Sequence, residues 1–208
     1  MYYFIKRYRA WVLFGMVSIV SIFLWLMTLS GSVTSMYQFF PILGVLAWTT
    51  MWVHYVTNSI GKPVNNRRFT KWTGRIVLLL LVTHPSIFLV QRFLDTGLLP
   101  PESYISYVGS YRAWAVVIAI AALATFLLYD VLKHFRSRRI VHGIWSYVGL
   151  LQACAMAAIF IHGLMLGTSM ISGYFMLWWI FLGILLAPCL VLQVVRDFKV
   201  SDRRKTEV

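Results

Sequence analysis

The chain has 208 residues, of which 60% are hydrophobic, 16% aromatic and only 12% charged. A soluble domain of this length could not bury so much apolar surface, so the composition excludes a water-soluble globular protein and predicts a polytopic membrane protein. The net charge of +13 is not gathered on a separate folded segment, which argues against nucleic acid as a partner.

Six apolar segments predict six transmembrane helices in a single all-α domain that covers residues 1–208. The first segment follows a basic stretch, as a signal peptide would, but it lacks a small-residue cleavage site, and we expect a retained helix. The predicted spans are residues 11–29, 41–58, 75–92, 113–132, 141–166 and 174–195.

The basic residues predict the orientation of these spans. Seventeen of the 19 lysines and arginines lie before the first span, between the second and third, between the fourth and fifth, or after the sixth. Only Arg92 and Arg112 lie on the other side. The positive-inside rule therefore predicts a multi-pass protein of the cytoplasmic membrane with both termini cytoplasmic, and the basic loops are expected to attract anionic lipid headgroups.

The third span carries a histidine near its middle. The run between Arg75 and Arg92 is about 24 Å long as a helix, and an ionisable side chain at such a depth requires a partner, so His84 is a candidate functional residue. His162 lies in the fifth span, which crosses in the same direction. Two imidazoles from facing helices are typical axial ligands of a b-type haem. The alternative is that each ring only bonds to a neighbouring carbonyl or hydroxyl group, such as that of Thr83.

Other residues near the two histidines fit the same chemistry. Gly163, Ala157 and Ala158 are small enough to let a macrocycle approach the fifth span. Arg92 and Arg112 could each pair with a haem propionate, or could be interfacial arginines that extend towards water. His84 and His162 differ in predicted depth by roughly one helical turn, which a tilt of the long fifth span would remove.

His54 and His142 form a second candidate pair, because both lie near the cytoplasmic ends of their spans. They could hold a second haem or a quinone headgroup, or could hydrogen-bond to water and lipid. No lysine falls inside a span, which excludes a Schiff-base retinal protein, and the acids Asp95 and Glu102 fall in the outer loop 93–112. A carboxylate relay for a transporter is therefore not expected.

The string from Thr70 to Pro85, TKWTGRIVLLLLVTHP, resembles the third helix of the ferric reductase-like transmembrane domain family, and the string Ile161–Gly167, IHGLMLG, resembles the end of its fifth helix. The resemblance implies six spans with cytoplasmic termini and roles for His84 and His162 as axial haem ligands. The family's inner pair of ligands would fall near Thr70 and Val148, where this chain has no histidine, so the resemblance implies one outer haem.

The expected function is that of a small b-type cytochrome, an oxidoreductase subunit that moves electrons within or across the membrane. No dinucleotide-binding glycine motif is present, so electrons would come from a quinol or a partner flavoprotein. Two alternatives remain open at this stage. One is a cofactor-free scaffold or assembly subunit, and the other is a small transporter subunit.

Overall fold

A computed structural model of the protein describes residues 2–29, 36–59, 67–135, 138, 141, 143–167 and 173–205. Every regular element in these ranges is helical. The helices, in chain order, are α1 (Tyr2–Thr28), α2 (Met36–Ser59), α3 (Arg67–Thr96), the short α4 (Glu102–Val108), α5 (Ala113–His134), α6 (Trp145–Leu166) and α7 (Tyr174–Lys205), and a single 3₁₀ turn (Ser110–Arg112) precedes α5.

Six of these helices (α1, α2, α3, α5, α6 and α7) are each long and apolar enough to cross a membrane. The expectation of an all-α protein with six spans is thereby confirmed. In a hydrocarbon environment the backbone must satisfy its own polar groups, which long helices do without outside partners.

The helices differ from the predicted ones at three places that matter for the site. α3 begins at Arg67 and runs to Thr96, so Asp95 lies in its last turn, not in a loop. Glu102 begins α4, not an irregular loop. α6 begins at Trp145, so the extra length that was expected to allow a tilt of this span is not part of the described helix.

The helix α2 is the centre of the bundle. It packs against α1, α3, α6 and α7, and more than half of its span is buried, compared with 11–28% for the other five spans. Its tryptophans fix it to its neighbours, because Trp48 Nε1 donates to the carbonyl oxygen of Met156 at 3.3 Å and Trp52 Nε1 donates to that of Leu182 at 2.8 Å.

Contacts between helix ends show an up-and-down bundle. Trp11 of α1, His54 of α2 and Phe69 of α3 meet at one end, and Arg196 of α7 bonds to the carbonyl oxygen of Asn58 at that same end. We call this the basic end. The opposite end, at which α4 packs on α3 and α5, is the α4 end. The beginning of α1 and the last part of α7 thus lie at one end of the bundle.

Candidate functional site

His84 lies on α3 and is anchored to α2. Its Nδ1 is 2.7 Å from the carbonyl oxygen of Phe40. A carbonyl oxygen can only accept, so Nδ1 carries the proton and donates it, and the lone pair of the neutral ring is on Nε2. Gly44 provides the space for the ring, because a Cβ atom at that position would lie 3.0 Å from the imidazole Cε1.

His162 on α6 has the same arrangement with a different neighbour. Its Nδ1 is 3.0 Å from the carbonyl oxygen of Ala115, a residue of α5 whose side chain is fully buried. The lone pair of the neutral His162 ring is therefore also on Nε2. Among the described residues, neither Nε2 atom has a recorded hydrogen bond, and both rings are partly exposed.

The two imidazoles lie within electrostatic range of each other. The helices that carry them are not closely packed on each other: α3 packs on α2 and α4, while α6 packs on α5 and α7.

The protonation of the two rings suits metal ligation. Histidine ligands commonly donate the second ring N–H to a backbone carbonyl, which fixes the tautomer and the ring plane, and both His84 and His162 are held in this way before any metal binds. No cluster of three or more His, Cys, Asp or Glu side chains occurs among the described residues. A metal at this site would therefore need further ligands from a cofactor, and the residues present fit a haem, whose porphyrin supplies four nitrogens.

Arg92 lies two turns after His84 on α3, at the α4 end. Its Nη2 donates to the hydroxyl of Ser106 at 2.5 Å, and its guanidinium lies 5.5 Å from the centre of the Tyr107 ring. Its Nε is buried and has no hydrogen-bond partner among the described residues. Arg112 is exposed and lies one turn before Ala115. Both arginines are therefore at the same end as the two histidines.

An aromatic cluster connects His84 with α4. The Phe40 ring lies 5.2 Å from the imidazole and 5.1 Å from the ring of Phe88, and Phe88 in turn contacts Tyr104 and Tyr107 on α4. Burial raises the pKa of Tyr107, while the Arg92 guanidinium acts in the opposite direction. Contacts between these rings therefore link α2 and α3 to α4 at the α4 end of the bundle.

Gly163 has a role other than the predicted one. A Cβ atom at this position would lie 2.9 Å from the Trp179 ring, so this glycine permits close packing of α6 on α7. On a helix, consecutive residues point about 100° apart, and Gly163 is therefore turned away from the side on which His162 lies. The glycine that gives an imidazole its space is Gly44 on α2, which the sequence analysis did not identify.

His54 is engaged with α3. The Thr73 hydroxyl donates to the carbonyl oxygen of Phe69 at 2.6 Å, so it accepts from Nε2–H of His54 at 2.7 Å. This bond joins α2 to α3 near the basic end. His142, its predicted partner, lies outside the described residues, so the second predicted pair stays a prediction.

Two polar residues at the basic end were also missed. Asp197 on α7 lies within the sixth span, and Tyr55 on α2 has a buried hydroxyl with no hydrogen-bond partner among the described residues. Asp197 had no clear signal in the sequence, because it follows the predicted sixth span among basic residues. Comparisons with protein-family models, with curated proteins and with solved structures found no match to this chain.

Proposed function

We propose that this protein is a ferric reductase-like membrane cytochrome that binds one haem b between His84 and His162 and transfers electrons within or across the cytoplasmic membrane. The observation that carries the proposal is the matched pair of Nδ1–H bonds to the carbonyl oxygens of Phe40 and Ala115. These bonds direct the ligating lone pair of each ring to Nε2. In both rings the nitrogen left to bind a metal is therefore Nε2, as two axial ligands of one haem would require.

The chain's own residues hold and shield the cofactor. The two imidazoles would be the axial ligands, and Arg92 and Arg112, at the same end of the bundle, would neutralise the propionates. The buried Nε of Arg92 is a donor for one of them. The bound haem would supply one-electron redox chemistry, while the apolar helices around it exclude water and the ring orientation is fixed by α2 and α5.

The placement in the membrane follows from the distribution of charge. The basic end of the bundle would face the cytoplasm and the α4 end the opposite side. The site would then lie nearer the outer face, and electrons from a quinol or a partner flavoprotein would reach it from the lipid phase or the cytoplasm. Lipids are the surrounding partners of the exposed apolar side chains.

The test is the visible absorption spectrum of the protein purified from cells supplied with haem. We expect a low-spin b-type spectrum with one haem per chain, lost in His84→Ala and in His162→Ala. His134→Ala is the matched control, because His134 is exposed at the end of α5 and its removal should leave the spectrum unchanged. A colourless wild-type protein that is well folded would refute the proposal.

The second candidate is a cofactor-free scaffold subunit. It is favoured by the same two hydrogen bonds, since each satisfies one polar atom of its ring without any ligand. In that case His84→Ala and His162→Ala would lower the melting temperature of a colourless protein, and no spectrum would distinguish them from the wild type.

A further inference from the structure

A group of polar residues converges near the basic end of the bundle, apart from the two histidines of the proposed haem site. We call it the basic-end cluster. It draws on four helices and consists of Tyr55 (α2), Tyr129 (α5), Gly149 (α6), Gln193 and Asp197 (α7).

The carboxylate of Asp197 is the acceptor of this cluster. Gln193 Nε2 donates to both of its oxygens at 3.2 Å. The carboxylate also lies directly against α6, because a Cβ atom at Gly149 would be only 2.5 Å from Oδ2. A glycine at this position is what allows an acidic side chain to lie between α6 and α7 near the end of the sixth span.

The hydroxyl of Tyr55 is the donor of the cluster. It is buried and has no hydrogen-bond partner among the described residues, although both Asp197 and Tyr129 lie within electrostatic range of it. Tyr129 contacts Trp145 of α6, with 5.5 Å between the ring centres. A buried hydroxyl without a partner is unfavourable, and a ligand that bonds both to it and to the carboxylate would remove that cost.

The ligand must therefore accept a hydrogen bond on one side and donate one on the other. An apolar ligand could enter from the membrane, and a flat one could pack beside the rings of Tyr129 and Trp145. We propose that the basic-end cluster binds the headgroup of a membrane quinone, with Tyr55 donating to one ring oxygen and Asp197 accepting from the hydroxyl of the reduced form. This proposal deepens the proposed function, since it names the electron donor, but binding itself does not require the haem.

The experiment measures binding of decylubiquinol and decylubiquinone to the full-length protein in phosphatidylcholine nanodiscs. The readouts are the ligand-induced rise in melting temperature and the saturable quenching of tryptophan fluorescence. We expect Tyr55→Phe to weaken binding of both forms about fivefold to tenfold. We expect Asp197→Asn to weaken binding of the quinol most. Tyr147→Phe and Asp130→Asn are matched controls at the same end and should bind as the wild type does.

Tyr55→Phe also tests the argument without ligand. Because the hydroxyl has no partner, its removal should leave the melting temperature of the ligand-free protein unchanged or slightly higher. A clear fall would mean that the hydroxyl already bonds within the protein, and it would overturn the proposal. Binding that is not saturable in the wild type, or that Tyr55→Phe and Asp197→Asn leave intact, would overturn it as well.

Two further results separate this proposal from others. If the melting temperature rises with phosphatidylethanolamine in the nanodisc and not with quinone, the cluster binds a lipid amine and the quinone proposal is wrong. A colourless protein that binds quinone through Tyr55 would refute only the haem, and a haem-containing protein without saturable quinone binding would refute only the quinone site.

Discussion

Replacing Gly44 by alanine tests the geometry on which the haem proposal depends. The added Cβ would lie 3.0 Å from Cε1 and 3.2 Å from Nδ1 and Nε2 of His84, which is closer than ordinary van der Waals contact. The ring must move by a few tenths of an ångström. Because it is held by a bond of 2.7 Å to the carbonyl oxygen of Phe40, movement lengthens that bond and turns Nε2.

The magnitude follows from two opposing effects. Alanine is favoured over glycine in a helix by about 1 kcal/mol, while an extra methyl group in a packed interior costs about 1–3 kcal/mol. Gly74→Ala on α3 is the matched control, since nothing lies within 4 Å of its added Cβ. Gly74→Ala should gain the helix preference of alanine without the cost of an extra methyl group in a packed interior. We therefore expect Gly44→Ala to be less stable than Gly74→Ala by about 1–3 kcal/mol.

The assays are denaturant unfolding, followed by circular dichroism, and haem content. Disturbing the orientation of a metal-ligating histidine commonly lowers affinity about 10- to 100-fold, so Gly44→Ala should retain less haem than Gly74→Ala at equal haem supply. Equal stability and equal haem content in the two variants would refute the close fit of His84 against α2. Lower stability with equal haem content would refute the role of the ring as a ligand.

Three other predictions concern the contacts around the site. Thr73→Val leaves the Nε2–H group of His54 without an acceptor and should cost about 1–3 kcal/mol in the free energy of unfolding, with the haem spectrum unchanged. Gly183→Ala places a Cβ atom in steric conflict with the Phe160 ring and should lower the melting temperature, and the added mutation Phe160→Leu should restore part of the loss. Burial raises the pKa of Tyr107, so the folded protein retains a proton that the unfolded chain releases. Its contribution to stability is therefore complete below pH of about 10 and falls as pH rises further, which the loss of helical circular dichroism with rising pH would detect.

Each of these has a result that would contradict it. A stable Thr73→Val protein would show that His54 finds another acceptor. A stable Gly183→Ala protein would show that Phe160 can turn away at little cost. For Tyr107, the control is Tyr107→Phe, and an unchanged loss of α4 structure at high pH in that variant would assign the effect to another group.

The number and order of the helices could be predicted from the sequence because apolar length alone decides which segments cross a membrane. The ends of the helices could not be predicted in this way. α3 begins eight residues before the predicted boundary at Arg75, because a helix does not have to stop where the hydrocarbon does. Basic side chains such as that of Lys71 can extend to water from a helix that continues beyond the apolar core.

Residues that act between helices are harder to identify from the sequence than the helices themselves, and Asp197 shows why. In the sequence it lies in a basic segment after the sixth span and reads as a solvated charge. Its position depends on Gly149, 48 residues earlier, where the lack of a side chain lets the carboxylate enter between two helices. The same holds for His84 and Gly44. In both pairs the glycine that admits the side chain can be identified only when the helices are packed together. Substituting the two glycines, which bear no chemistry of their own, therefore tests both proposed sites by displacing His84 or Asp197 without replacing either.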